Sequence, residues 1–120
     1  MLMPGLSDVL EDIYLDEILS TFTHISLHSA DPGDTGDFEL VDAGGSSYAR
    51  QACPGFTESS GGSAFLLSPV DFPNLPTGPI PYLGFWVDDV FAGSMPSGYA
   101  DVMPLLSTLR VSTDTEWTLD

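Results

Sequence analysis

Lysine is absent from this chain, and arginine occurs only at Arg50 and Arg110, against 18 aspartates and glutamates. A formal net charge of −16 on 120 residues repels phosphate, which excludes direct binding to nucleic acid or to an anionic membrane. Cys53 is the only cysteine, so neither an intrachain disulfide nor a cysteine zinc site can be built. No apolar run approaches the roughly 18 residues that span a membrane, and no basic segment leads into a hydrophobic one as in a secretory leader. Internal repeats, a Gly-rich phosphate loop, a nucleophile elbow and a zinc motif are all missing. With 18 acids, some pair always falls at the spacing of an acid/base couple, so carboxylate spacing alone is no sign of hydrolase chemistry. The expectation is a protein that is not an enzyme and carries no cofactor.

What is present suits a folded, turn-rich β protein. Apolar residues make up 42%, with 12 glycines and 10 prolines. The acids are interleaved with apolar residues along the whole chain, so they coat a folded surface instead of forming a tail. Such a surface repels itself at low salt and is tolerated where salt screens it. Extreme acidity without lysine resembles the proteins of extreme halophiles.

Residues 24 to 52 hold the densest pattern. Ile25 and Leu27 alternate with His24, Ser26 and His28, the period of a strand with one buried face. Asp31-Pro32-Gly33 breaks it with turn chemistry. A short strand over Phe38 to Val41 leads to Gly44-Gly45, and Ser47 to Cys53 reads as a third. The run HISLHSADPGDTGDFEL at 24–40 and GGSSYARQA at 44–52, followed by Tyr82-Leu83-Gly84-Phe85-Trp86, resembles small β-rich virion proteins of tailed phages and archaeal tailed viruses. These are labelled tail fibre, minor tail or head decoration proteins. The resemblance covers roughly residues 8 to 90. It implies a structural protein located in the virion, with the major capsid protein or tail proteins as partners.

Taken in order, residues 1 to 6 form an arm. A helix runs from an N-cap at Asp8, with Glu11 at the capping-box spacing, to Ser20. Val9, Leu10, Ile13, Tyr14 and Ile18 cover about half its circumference, and Leu15 and Leu19 lie on the other side among Asp8, Asp12 and Asp16. The first group is expected to pack on the domain. Leu15 and Leu19 are then either partly exposed or in contact with a neighbouring subunit. The pattern divides the chain into an arm and helix at 1–20 and a single β domain at 21–120. Strands are expected at Phe22 to Leu27, Ala64 to Phe72, Pro81 to Val87 and Leu105 to Thr113. Val90 to Gly98 reads as loop or short strand. Trp117 and Leu119 alternate with Glu116 and Thr118 in an edge strand. The fold class is mainly β: an antiparallel β-sandwich or jelly-roll-like barrel of seven or eight strands with one N-terminal helix.

Candidate functional residues follow from this layout. His24 and His28 share a face about 13 Å apart, too far to ligate one ion, so both read as surface or partly buried. Asp31, Asp34, Asp37 and Glu39 crowd a Gly-rich turn, as ligands of a hard cation do, but without the EF-hand spacing; a solvated turn is the plainer reading. Arg50 is expected to pair with a carboxylate and order a loop, with Tyr48 beside it in the motif. Gly84, between bulky residues, marks a bulge or a close backbone approach, and Trp86 is expected in the core. Association of so acidic a chain needs an apolar patch poor in carboxylates. Two stretches qualify: the helix side of Leu15 and Leu19, and the stiff, acid-free segment of Phe72, Leu75 and Ile80. The expectation is a capsid decoration or turret-base subunit, homo-oligomeric as a trimer or pentamer. The alternatives are a tail-fibre or minor tail protein, and a carbohydrate- or cation-binding adhesion module.

Overall fold

The computed structural model describes residues 7–99 and 101–118. The arm at residues 1–6 and the residue Leu119 lie outside them. One helix, α1 (Asp8–Leu19), precedes ten short strands: β1 (His24–His28), β2 (Gln51–Ala52), β3 (Ser63–Phe65), β4 (Val70–Phe72), β5 (Gly78–Pro79), β6 (Tyr82–Val87), β7 (Val90–Pro96), β8 (Val102–Met103), β9 (Leu109–Val111) and β10 (Glu116–Thr118). The protein is mainly β, with four antiparallel sheets among the described residues. One has four strands in the order β2-β1-β6-β7, and the others are the pairs β10-β3, β4-β9 and β5-β8. The described chain falls into two compact units. One holds residues 7–21, 54–69 and 112–118, and the other holds 22–53 and 70–111.

Proline and glycine shorten the strands. The apolar stretch 64–72 divides into β3 and β4 around Ser68-Pro69, because proline cannot donate to a ladder. The expected last strand, 105–113, keeps only Leu109–Val111, and Leu106 adopts a left-handed φ of 64° before it. Phe38 to Val41 contributes a single bridge, His28 to Glu39, instead of a strand. Conversely, Val90–Pro96 is the longest strand, paired with β6 through an irregularity at Phe85/Trp86 that absorbs the extra residue Ala92.

The two central strands of the four-stranded sheet, β1 and β6, are buried on both faces, not one, while the outer strands β2 and β7 have no buried residue. In β1 every residue from Ile25 to His28 is buried. Ile25 and Leu27 share a face with Leu83 and Phe85, all essentially without solvent access, and Phe22 packs its ring 5.4 Å from that of Phe85. Ser26 and His28 share the opposite face with Gly84 and Trp86, since Ser26 pairs with Gly84 and His24 with Trp86.

In the other unit, α1 is capped by Ser7, not Asp8: the Ser7 hydroxyl accepts from the Leu10 amide at 3.3 Å. Ser20 and Thr21 close the far end by donating their hydroxyls to the carbonyls of Glu17 and Ile18. The inward face of α1 is the reverse of that expected. Leu15 and Leu19 are core residues, each 3% exposed, whereas Val9, Leu10, Ile13, Tyr14 and Ile18 face solvent. The acids on the Leu15 side cause the reversal, because they find backbone donors within the unit. The Asp12 carboxylate accepts from the Gly62 amide at 2.7 Å and the Asp16 carboxylate from the Ser59 amide at 2.8 Å. Ser59 returns its hydroxyl to the Asp12 carbonyl at 2.8 Å. Carboxylates satisfied in this way can turn inward with the leucines between them.

Candidate functional site

The residues of the 24–52 motif and of Gly84-Phe85-Trp86 converge on one polar cluster, entirely within the unit that holds the four-stranded sheet. At its centre the Ser26 hydroxyl sits 2.6 Å from His28 Nε2 and 2.7 Å from the Trp86 indole nitrogen. The other imidazole nitrogen, Nδ1, lies 2.7 Å from the Asp37 carbonyl oxygen. A carbonyl can only accept and an indole N–H can only donate, so the protons are assigned. His28 carries its proton on Nδ1 and gives it to Asp37. Ser26 accepts from Trp86 and donates to the bare Nε2. Every polar atom in the chain of contacts is satisfied by a neutral imidazole. Burial, the largest influence, holds the His28 pKa below its ordinary value of 6.5.

Gly84 is what lets these side chains fit. A Cβ at this position would overlap both Ser26 Oγ and His28 Nε2, which explains a glycine inside the most apolar strand. Gly36, at φ +80°, does the same for the rings: its Cβ would stand 2.8 Å from Phe91 Cδ1 and 3.0 Å from the Trp86 ring. Phe91 meets Trp86 edge-on at 5.2 Å and His28 at 6.0 Å between centroids.

Around this centre lies a charged layer. Arg50 donates from Nε and Nη2 to the two oxygens of Glu39, both at 2.9 Å, and its guanidinium carbon stands 3.5 Å from the Trp86 ring centroid. Tyr48 accepts from the Leu27 amide at 3.1 Å and donates to Glu39 at 2.7 Å, with its ring stacked on Phe72. Burial and the bond to Glu39 push the Tyr48 phenol well above its usual range. Burial alone would raise the Glu39 carboxyl, but the bonds from Arg50 and Tyr48 outweigh it and leave the pKa lowered.

The acidic turn is therefore dispersed, not assembled. Glu39 serves Arg50 and Tyr48, Asp31 accepts from the Gly33 amide at 2.9 Å, and Asp37 accepts from the Thr35 hydroxyl at 3.1 Å. Among the described residues no group of three His, Cys, Asp or Glu stands where it could hold a metal ion. Both histidines were expected at the surface or partly buried; His28 is fully buried, while His24 is half-buried as expected, with Nδ1 2.9 Å from the Thr23 hydroxyl. The expected contact residues Phe72, Leu75 and Ile80 are core instead, each at most 1% exposed: Phe72 pairs with Leu109 in the β4-β9 sheet, and the Leu75 backbone is tied to Leu106 and Ser107. Sequence reasoning missed Ser26, Gly36 and Phe91 as members of the cluster. The signal that could have found Ser26 and His28 is a glycine opposite two polar residues in an otherwise apolar strand pair.

Chemically, a serine 2.6 Å from an imidazole has the geometry of a nucleophile and its base. Here both residues are fully buried, the orienting partner is a backbone carbonyl instead of a carboxylate, and the indole occupies the serine oxygen. The cluster is built to hold β1, β6 and the 31–50 loop together. A shallow pocket among the described residues of the helical unit is lined by Asp16, Leu19, Ser20, Phe56, Thr57 and Glu58. No helix among the described residues is long and apolar enough to cross a membrane. Comparison with protein-family models, with curated proteins and with solved structures finds no match.

Proposed function

We propose that the chain is a structural virion protein of a tailed virus, a capsid decoration or turret-base subunit seated on the major capsid protein, with its sheets forming a sandwich or jelly-roll arrangement. The carrying observation is how the motif residues are used. His28, Arg50, Tyr48, Gly84 and Trp86 are spent on a closed scaffold cluster that presents no reactive group to a substrate, while a run of apolar side chains on α1 is left facing solvent. A chain organised in this way acts by being held in place and by holding others. The resemblance of the same residues to small virion proteins supplies the setting. A tail-fibre or minor tail position is the alternative within the same class. Immunogold labelling of purified particles tests both: gold on the head supports decoration, gold on the tail supports the alternative, and absence from the particle removes the structural virion role.

A further inference from the structure

We propose that the solvent face of α1 docks a different polypeptide, one that presents an apolar stripe edged by lysine or arginine, and that the cationic edge lies at the C-terminal end of the helix. The inference deepens the structural reading above and rests on it.

The face is wide. Val9, Ile13, Glu17, Leu10, Tyr14 and Ile18 follow one another around half of the helix at 100° per residue. Five of the six are apolar, and Val9 and Ile13 are 71% and 53% exposed. Two of the acids that would normally solubilise such a helix are turned the other way, since Asp12 and Asp16 bind loop amides, and Glu17 is the single acid within the face. Left open, a patch of this kind on a soluble domain marks an interaction surface.

Charge selects the occupant. The last turn of α1 has no basic residue and carries Asp16 and Glu17, and Glu58 lines the pocket beside them. Carboxylates at a helix C-terminus add to the negative end of the helix dipole instead of offsetting it. A second copy of the chain brings nothing to compensate. Its only two cations are both committed, Arg50 to Glu39 and Arg110 to Asp71, each through two hydrogen bonds. A self-interface would therefore set two chains of net charge −16 together with no lysine or arginine that is not already paired within its own chain. A partner with lysine or arginine beside its apolar stripe meets both the aliphatic face and the acidic end.

The test uses the full chain and two synthetic amphipathic helical peptides with one identical leucine/isoleucine face, edged by lysine in one and by glutamate in the other. Binding is read by fluorescence anisotropy at about 0.3 M salt, where diffuse attraction to the acidic surface is screened. The lysine-edged peptide should bind at least about tenfold more tightly than the glutamate-edged one. Ile13→Glu should weaken it by a similar factor, Glu17→Lys should reverse the preference between the peptides, and Val102→Glu, at an exposed position of β8 in the other unit, should change nothing. Circular dichroism confirms that each variant is folded; if Ile13→Glu is not, the Glu17→Lys reversal decides. Equal affinity for the two peptides, or an unchanged preference in Glu17→Lys, overturns the proposal. So does a concentration-dependent dimer that Ile13→Glu abolishes, since that gives the face to a second copy. Co-sedimentation with purified particles separates this result from the virion reading. If the parent protein fails to sediment, the virion role is lost while the peptide result stands. If parent and Glu17→Lys sediment equally, this face is not the attachment surface while the virion role stands.

Discussion

The sheet cluster and the helix handle polarity in opposite ways. Around β1 and β6, polar side chains lie inside with every hydrogen bond matched, from Trp86 through Ser26 and His28 to Asp37. On α1, the carboxylates of Asp12 and Asp16 lie on the inward side beside Leu15 and Leu19, while Val9, Ile13 and Ile18 lie outside. The contrast teaches that partner availability decides direction here, more than residue polarity. A carboxylate turns inward when a loop amide waits for it, and an isoleucine stays outside when the inner positions are already filled by leucines.

The contrast is broken most severely by filling the space that Gly84 leaves. Gly84→Ala places a methyl on Ser26 Oγ and His28 Nε2, neither of which can move without losing its bonds, and should destabilise the fold by about 3 kcal/mol or more. Equilibrium denaturant unfolding measures it, and a loss below about 1 kcal/mol would mean the face is looser than described. Trp86→Ala should cost about 3 to 5 kcal/mol on the same measurement, by cavity formation and by leaving Ser26 without its donor.

Glu39→Gln tests the charged layer. It keeps the shape but leaves the half-buried Arg50 without its ion pair, and should cost about 2 kcal/mol. The change should also remove part of the acid sensitivity. His28 has its folded-state pKa lowered below 6.5, so its contribution is complete above about pH 6.5 and declines as pH falls from there toward the lowered value. Glu39 has its pKa lowered below 4.5, so its contribution is complete above about pH 4.5 and is lost on further acidification. Thermal midpoints should therefore be level near pH 7 to 8 and fall in two stages. His28→Asn should flatten the upper stage and Glu39→Gln the lower.

Much of this sheet was legible in the sequence, and so were the existence and bounds of the helix, Asp8–Leu19 against the expected 8–20; which of its faces turns inward was not. Period-2 alternation, the glycine at 84 and the apolar run around it locate β1 and β6, because a pleated strand has only two faces. Trp86 is buried, as its place on the most apolar strand implies. What the alternation could not show is that Ser26 and His28 are buried too, since that depends on an indole supplied from residue 86 and a carbonyl from residue 37. In α1 both sides carry leucine or isoleucine, so composition does not choose between them. The choice is made by the amides of Ser59 and Gly62, more than forty residues away along the chain. No local pattern encodes such a long-range partner.

The smallest effect concerns salt. With net charge −16, the thermal midpoint should rise by a few degrees from millimolar to molar salt as self-repulsion is screened. An equal or lower midpoint in molar salt would argue against a halophilic character.

The orientation of α1 is tested most directly by comparing thermal unfolding of Leu15→Asp and Ile13→Asp by circular dichroism. Leu15 is 3% exposed and Ile13 53% exposed. With Leu15 in the core and Ile13 on the docking face, Leu15→Asp should abolish the cooperative transition or lower its midpoint by well over about 10 °C, whereas Ile13→Asp should stay within a few degrees of the parent. The opposite ranking, with Ile13→Asp unfolded and Leu15→Asp near the parent, would contradict the account.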